Sequence, residues 1–458
     1  MPPHLSGPCR ALPLALILFA ALRAQEPATR TGGDAEGRPT RATAIERHGI
    51  RWRFDREHTV GTFANGDPWV TGPVRIIEIT PGSVEVDGRV MHGSMVDPDP
   101  SQMLQGYDSR LFGDKDRERY RGELNVAFGI SAENPLVLEA GTSLVSVRSR
   151  DDAAAMPQLL CASVLTCLAL RPPPDSFRPP YVRGDKAMPF RAADLDLTLL
   201  EEVRPTVDTP PIEVIAARFE RLWLDHFPEW PVRYAHPFES MPDYGRDIGA
   251  QIGSGALALQ FDVGLEKKRT LAIRMTQIGL DLFACLRGGC RWEGIGGHGH
   301  GRKLPILLAG SLLHDEAMLA IGHDYVSELQ RPGAGTHYFA EDGQTFYVEE
   351  TSPGIYNWGH GGYRKEHVGL AEWGFNHVPT VASDDVVWEA NPYRRCCTAN
   401  GWVAQCLAVR MMGLRQAWHH EAFFDYMDRY MKVDHTDSWH RAWIGWHASM
   451  WDAYRSNY

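Results

Sequence analysis

Gly294-Ile295-Gly296-Gly297-His298-Gly299-His300-Gly301-Arg302-Lys303, running directly into the apolar stretch Leu304 to Leu313, is the segment on which the reading of this chain turns. Its glycines let backbone N–H groups face a ligand. The apolar stretch, with Pro305 in its first turn, predicts a helix whose positive end meets the same point. Two histidines, an arginine and a lysine are gathered there, a setting that suits a carboxylate, sulfate or phosphate. A second stretch, Gly359-His360-Gly361-Gly362-Tyr363-Arg364-Lys365, repeats Gly297 to Lys303 at five of seven positions.

Neither loop is a nucleotide motif. A P-loop needs Lys directly after Gly and then Ser or Thr, whereas Gly301 is followed by Arg302, Lys303 and Leu304. A dinucleotide site needs a strand leading into the glycines, and Leu271 to Leu286 read as helix.

Outward from the loop, everything after Pro211 has the texture of long amphipathic helices. The periodicity predicts them at Ile212 to His226, Tyr244 to Phe261, Lys268 to Leu286, Leu304 to Ala320, Gly401 to Met412, Glu421 to Met431 and Ser438 to Tyr454. Between Gly322 and Asn400 a long Gly-, His-, Trp- and Tyr-rich stretch reads as a binding loop. Arg246, Arg302 and Arg364 recur at intervals of 56 and 62 residues, each at a helix start, so successive helical hairpins would bring them to one rim.

Before Pro211 the chain reads as strands: Val74 to Ile79, Ser83 to Val86, Glu123 to Phe128, Pro135 to Leu138 and Ser143 to Val147. Asp194 to Glu202 reads as a last strand or a short helix. The expected organisation is a signal peptide over 1–24, a flexible segment over 25–45, an antiparallel β-sandwich-like domain over 46–205, and an α-helical, toroid-like domain over 206–458 that carries the site.

The setting follows from the N-terminus, where Arg10 precedes an apolar run from Ala11 to Leu22 and small residues follow. That layout predicts export to the periplasm or the exterior, and no other run is long enough to span a bilayer. Seven cysteines remain after such cleavage, an odd number, and Cys285 and Cys290 are spaced for a local disulfide. The formal charge of -11 argues against nucleic acid as a partner. An anionic glycan fits only where cations are concentrated locally, as in the two loops.

An exported chain with a sheet-rich module and helical hairpins whose loops carry His, Tyr, Arg and Asn resembles the polysaccharide lyases built on an incomplete (α/α) toroid. The sheet module comes first here, whereas it follows the helices in typical members, and seven readable helices are fewer than a full toroid holds. The resemblance implies β-elimination on a uronate-containing polysaccharide. That chemistry needs a neutralised carboxylate, a base for the neighbouring C–H and an acid for the leaving oxygen. Tyr356 to Arg364 holds all the required residue types. His360 or His298 is the expected base, Tyr363 the acid, and Asn357 with Arg302 the carboxylate holder. Tyr244, Arg246, His300, Lys303, Arg364, Arg394, Arg395, Asn400 and Trp358 are expected to bind neighbouring sugars, with Trp292 and Trp373 as further stacking surfaces.

Two other readings stand beside this one. A glycoside hydrolase would need a carboxyl pair, with Asp247, Glu293, Asp342, Glu349 and Glu350 as candidates. A non-catalytic glycan-binding protein would need no chemistry at all. No cofactor is expected, although His298, His300, His360, His367 and His377 could hold a divalent metal.

Overall fold

The computed structural model describes residues 40–111, 119–152, 158–227, 234–241, 244–294, 296–326, 337–356, 363–374, 395–432 and 445–458. A β-rich N-terminal region precedes a helical C-terminal region. The strands are β1 (Thr40–Arg47), β2 (Ile50–Thr62), β3 (Pro68–Thr71), β4 (Val74–Thr80), β5 (Val84–Val86), β6 (Arg89–Met91), β7 (Ser94–Val96), β8 (Leu136–Leu138), β9 (Thr142–Ser149) and β10 (Leu159–Leu168). β1 thus begins inside the segment expected to be flexible.

Eight of these strands form one sheet in the order β7-β9-β10-β3-β2-β4-β8, with β1 also paired to β2. All pairings are antiparallel except β10 with β3, where Thr166 lies beside Trp69. Alternation sets the register: Ile50, Trp52 and Phe54 of β2 point inward while Arg51 and Arg53 face water. β10 is buried on both faces, its Ser163 and Thr166 included, as suits a largely apolar strand. Its Cys161, Leu165 and Cys167 enter a core with Trp52, Ile76 and Leu138. Its Ala162 and Val164 enter a second core, shared with the helices.

Glu123 to Phe128 is a turn, contrary to the expected strand. Asn125 explains it: Oδ1 accepts the N–H groups of Ser94 and Ala127, and the second of these curls the chain back on itself. Residues 192–199 hold two short 3-10 turns.

The helices are α1 (Ile212–Ala217), α2 (Arg246–Ala258), α3 (Leu265–Arg287), α4 (Lys303–Leu313), α5 (Glu316–Leu319), α6 (Ile321–Asp324), α7 (Ala340–Gln344), α8 (Asn400–Met411), α9 (Arg415–Trp418), α10 (Glu421–Lys432) and α11 (Gly445–Tyr454). Two expected helices are shorter than their periodicity suggested. α1 stops at Ala217, and the chain beyond it bends so that the Asp225 N–H meets Tyr181 Oη. α4 ends at His314, which adopts a left-handed φ of 54°, and Asp315 then caps α5 by accepting the Met318 N–H. The stretch 322–400 includes α7 and the short strand pairs β11 (Thr345–Tyr347) with β14 (Ala371–Trp373) and β12 (Glu350–Ser352) with β13 (Ile355–Tyr356).

Two helix pairings position the site. α2 and α8 run side by side in the same direction, Gly249 against Gly401 and Gly253 against Ala404, so their starts lie together. A Cβ on Gly253 would come 2.7 Å from that of Ala404, which explains why a glycine stands there. α3 packs on α4 through Gly279, which abuts Pro305 and Ala309.

Sheet and helices are tied together by a buried ion cluster. Arg178 binds Asp67, in the turn before β3, at 2.7 Å and Asp281 of α3 at 2.6 Å.

Candidate functional site

The glycine loop is held from inside the protein. Arg302 is 1% exposed and donates from Nε and Nη2 to Asp225 Oδ1 at 2.9 and 2.7 Å, while His236 Nε2 lies 3.2 Å from the same oxygen. Burial opposes the Asp225 charge, but Arg302 and His236 outweigh it and hold the carboxyl well below the usual range. Lys303, fully buried, donates to Asp342 and to the Trp418 carbonyl, with the rings of Phe339 and Trp418 beside it. Burial lowers the Lys303 pKa and Asp342 opposes the shift.

α7 completes the grip. Glu341 Oε1 accepts the Gly301 N–H at 2.7 Å, at a φ of 84° that favours glycine. Gln344 Nε2 donates to the Gly296 carbonyl and lies 2.8 Å from His300 Nε2. Trp402 Nε1 donates to the other His300 nitrogen at 3.1 Å. Burial, then the nearby His298 and Arg302, keep His300 well below its ordinary pKa, so it is neutral and packed.

The anion expected at this loop is therefore internal. Asp225, Asp342 and Glu341 occupy the positions foreseen for a ligand carboxylate. Arg302, Lys303 and His300 have their polar groups committed to them and to neighbouring side chains. This corrects the assignment of Arg302 as the catalytic holder of the substrate carboxylate, and of Lys303 and His300 to sugar binding: the Arg302 charge is already matched by Asp225.

A different set comes together around Gly297 and His298. The ring of Tyr244 lies 4.7 Å from that of His298, and the Arg246 guanidinium sits 5.6 Å from the Tyr244 ring centre. The approach is close: a Cβ on Gly297 would strike the Tyr244 ring at 2.5 Å, and one on Gly245 would strike His298 at 2.2 Å. The Cys397 carbonyl closes on Gly297 from the start of the α8 segment. Asn400, 4% exposed, begins α8 there. Its Oδ1 accepts from Tyr430 Oη at 2.7 Å, while its Nδ2 is buried with no partner among the described residues. Asp247 accepts the Tyr244 N–H and fixes the turn into α2.

Tyr363 and Arg364 belong elsewhere. Tyr363 packs with Phe346 and Val348 and donates its hydroxyl to Glu372, which also binds Arg429. Arg364 is exposed and pairs with Glu366 at 2.8 Å. Asn357, Trp358, His360, His377 and Arg394 lie outside the described residues, as does the side chain of Arg395. Trp292 is a core residue, stacked on Phe339 and donating to the Asp225 carbonyl, and Trp373 is equally buried.

The hydrolase candidates are spread out. Asp342 is paired with Lys303, Asp247 caps a turn, and Glu293, Glu349 and Glu350 are exposed. Among the described residues no three His, Cys, Asp or Glu side chains are grouped to hold a metal ion, and no helix is long and apolar enough to cross a membrane. Cys285 and Cys290 are free thiols, so the local disulfide that their spacing allows is not formed. Cys290 Sγ lies 3.7 Å from the Asp225 carbonyl. Cys397 is disulfide-bonded.

No family model, curated protein or solved structure matches this chain. The site is therefore read from its own residues. Sequence reasoning missed Asp225 and His236, and it read Glu341-Asp342-Gly343-Gln344 as a loop segment that could supply a hydrolase carboxyl pair, not as an internal partner of the glycine loop. The one available signal was that a buried helix opening with Arg-Lys needs acids near it, and Glu341-Asp342 stood within the same stretch.

Proposed function

We propose that this chain is an exported enzyme that cleaves a uronate-containing polysaccharide by β-elimination, with the helix pairs forming part of an (α/α) toroid beside a sandwich-like sheet module. The observation that carries the reading is the contact of Tyr244 with His298, with Arg246 over the Tyr244 ring and against Gly401, next to Asn400, whose Nδ2 has no partner among the described residues.

In this reading Asn400 Nδ2 and Arg246 take the uronate carboxylate, which withdraws charge from the adjacent carbon. His298 removes the proton from that carbon. The electron pair forms the new C=C bond as the glycosidic C–O bond breaks, and Tyr244 delivers its hydroxyl proton to the departing oxygen. The residue types are those expected from the sequence, but Tyr244, Arg246 and Asn400 replace Tyr363, Arg302 and Asn357.

The test is incubation with a panel of uronic-acid polysaccharides, followed by ultraviolet absorbance. A rise marks the unsaturated product and supports elimination. New reducing ends without absorbance would indicate hydrolysis, and retention without products would indicate a glycan-binding protein; either result overturns the proposal.

A further inference from the structure

Glu341 is fully buried, and the mechanism above gives it no chemical step. One oxygen is taken by the Gly301 N–H at 2.7 Å. The other, Oε2, is buried and has no hydrogen-bond partner among the described residues. A buried carboxyl oxygen with no donor among the described residues is one that retains a proton.

The surrounding titratable groups do not supply that donor. Asp342 on α7 is bound to Lys303 of α4, and Arg302 from the loop is bound to Asp225. His300 has Trp402 and Gln344 on its two nitrogens. His420, beyond α9, is engaged with Thr345, and His337, ahead of α7, packs on Gly343. Burial pushes the Glu341 carboxyl up to about 7, consistent with this geometry.

We propose that Glu341 is a positioning residue whose protonation state sets the grip of α7 on the glycine loop, and through Gly301 the placement of His298. Its catalytic consequence rests on His298 being the base; the coupling of Glu341 to the loop does not. The neutral acid offers the Gly301 N–H an ordinary acceptor. Loss of the proton puts a full negative charge on that bond and beside Asp342, drawing the loop and Arg302 inward.

The test uses the full chain and its Glu341→Gln variant, which keeps an oxygen for Gly301 but cannot ionise. Infrared spectra from about pH 5 to about pH 9 should show a protonated carboxyl band in the wild type that titrates away around neutrality and is missing in the variant. The His298 ring resonance should inflect at the same midpoint in the wild type and lose that inflection in the variant. If Glu341→Gln does not fold, Glu341→Asp, with a shortened reach to Gly301, should retain a titrating band without the ring response. A carboxyl already ionised at the acid end overturns the proposal, as does a ring signal indifferent to the band. An elimination assay run alongside separates the two ideas: no activity in either form, with band and ring still coupled, removes the proposed reaction and leaves the Glu341 inference standing.

Discussion

Asp225 receives two donors of Arg302 on a single carboxylate oxygen, and both side chains are sealed from water. A cation so placed stabilises the fold and has no charge left over for a passing sugar acid.

Arg302→Ala should therefore act on stability before activity. It strands the Asp225 carboxylate in the interior, a loss on the order of 3–5 kcal/mol. Urea unfolding checks this, and a variant as stable as the parent would show that the pair contributes little.

Turnover should depend on the residues around His298. Tyr244→Phe and His298→Ala are each expected to lower elimination by about 10²- to 10⁴-fold with unchanged circular dichroism. Tyr363→Phe should stay within a few-fold of wild type, because its hydroxyl is bound to Glu372. The reverse ranking would move the site to the second glycine loop.

Asn400→Ala removes the amide that has no partner among the described residues, and takes from buried Tyr430 the acceptor of its hydroxyl. KM should rise because the amide holds the carboxylate in the ground state, and kcat should fall because that contact strengthens as charge develops in the transition state. Steady-state kinetics on the responsive polysaccharide decide this.

Two buried carboxyls impose opposite pH slopes. Asp225 has a depressed pKa, so its contribution is present above the ordinary carboxylate value and is lost as pH falls through the folded value. Glu341 has a raised pKa. The native state holds a proton the unfolded chain has released, so stability declines as pH rises from about 4.5 to about 7 and is flat beyond. The decline is on the order of 3 kcal/mol, at about 1.4 kcal/mol per pH unit. Glu341→Gln should abolish that segment in urea melts taken across the range, and an unchanged slope would assign it to another group.

Features set by nearby residues were legible in the sequence. The starts of α2, α4 and α8, and strands β4, β8 and β9, follow from local periodicity and punctuation. The glycine loop was rightly expected at the head of α4 and beside the Tyr244 turn. What lay beyond reach were contacts between distant positions: Arg302 meets Asp225 across 77 residues, and Gly301 meets Glu341 across 40. Charge pattern shows that a cation needs a counter-ion but not whether the protein or a ligand provides it. The short turn at Asn125 escaped for a related reason, since one side chain there overrides the β-branched residue beside it.

The apolar cluster that joins Val145 and Val164 to Trp402 and Leu308 has a consequence for how this molecule can be divided. A cut between residues 205 and 206 would leave each fragment with a raw greasy flank and Arg178 parted from Asp281. Neither half should dissolve by itself, and mixing the two should restore a native molecule only where both are present during refolding.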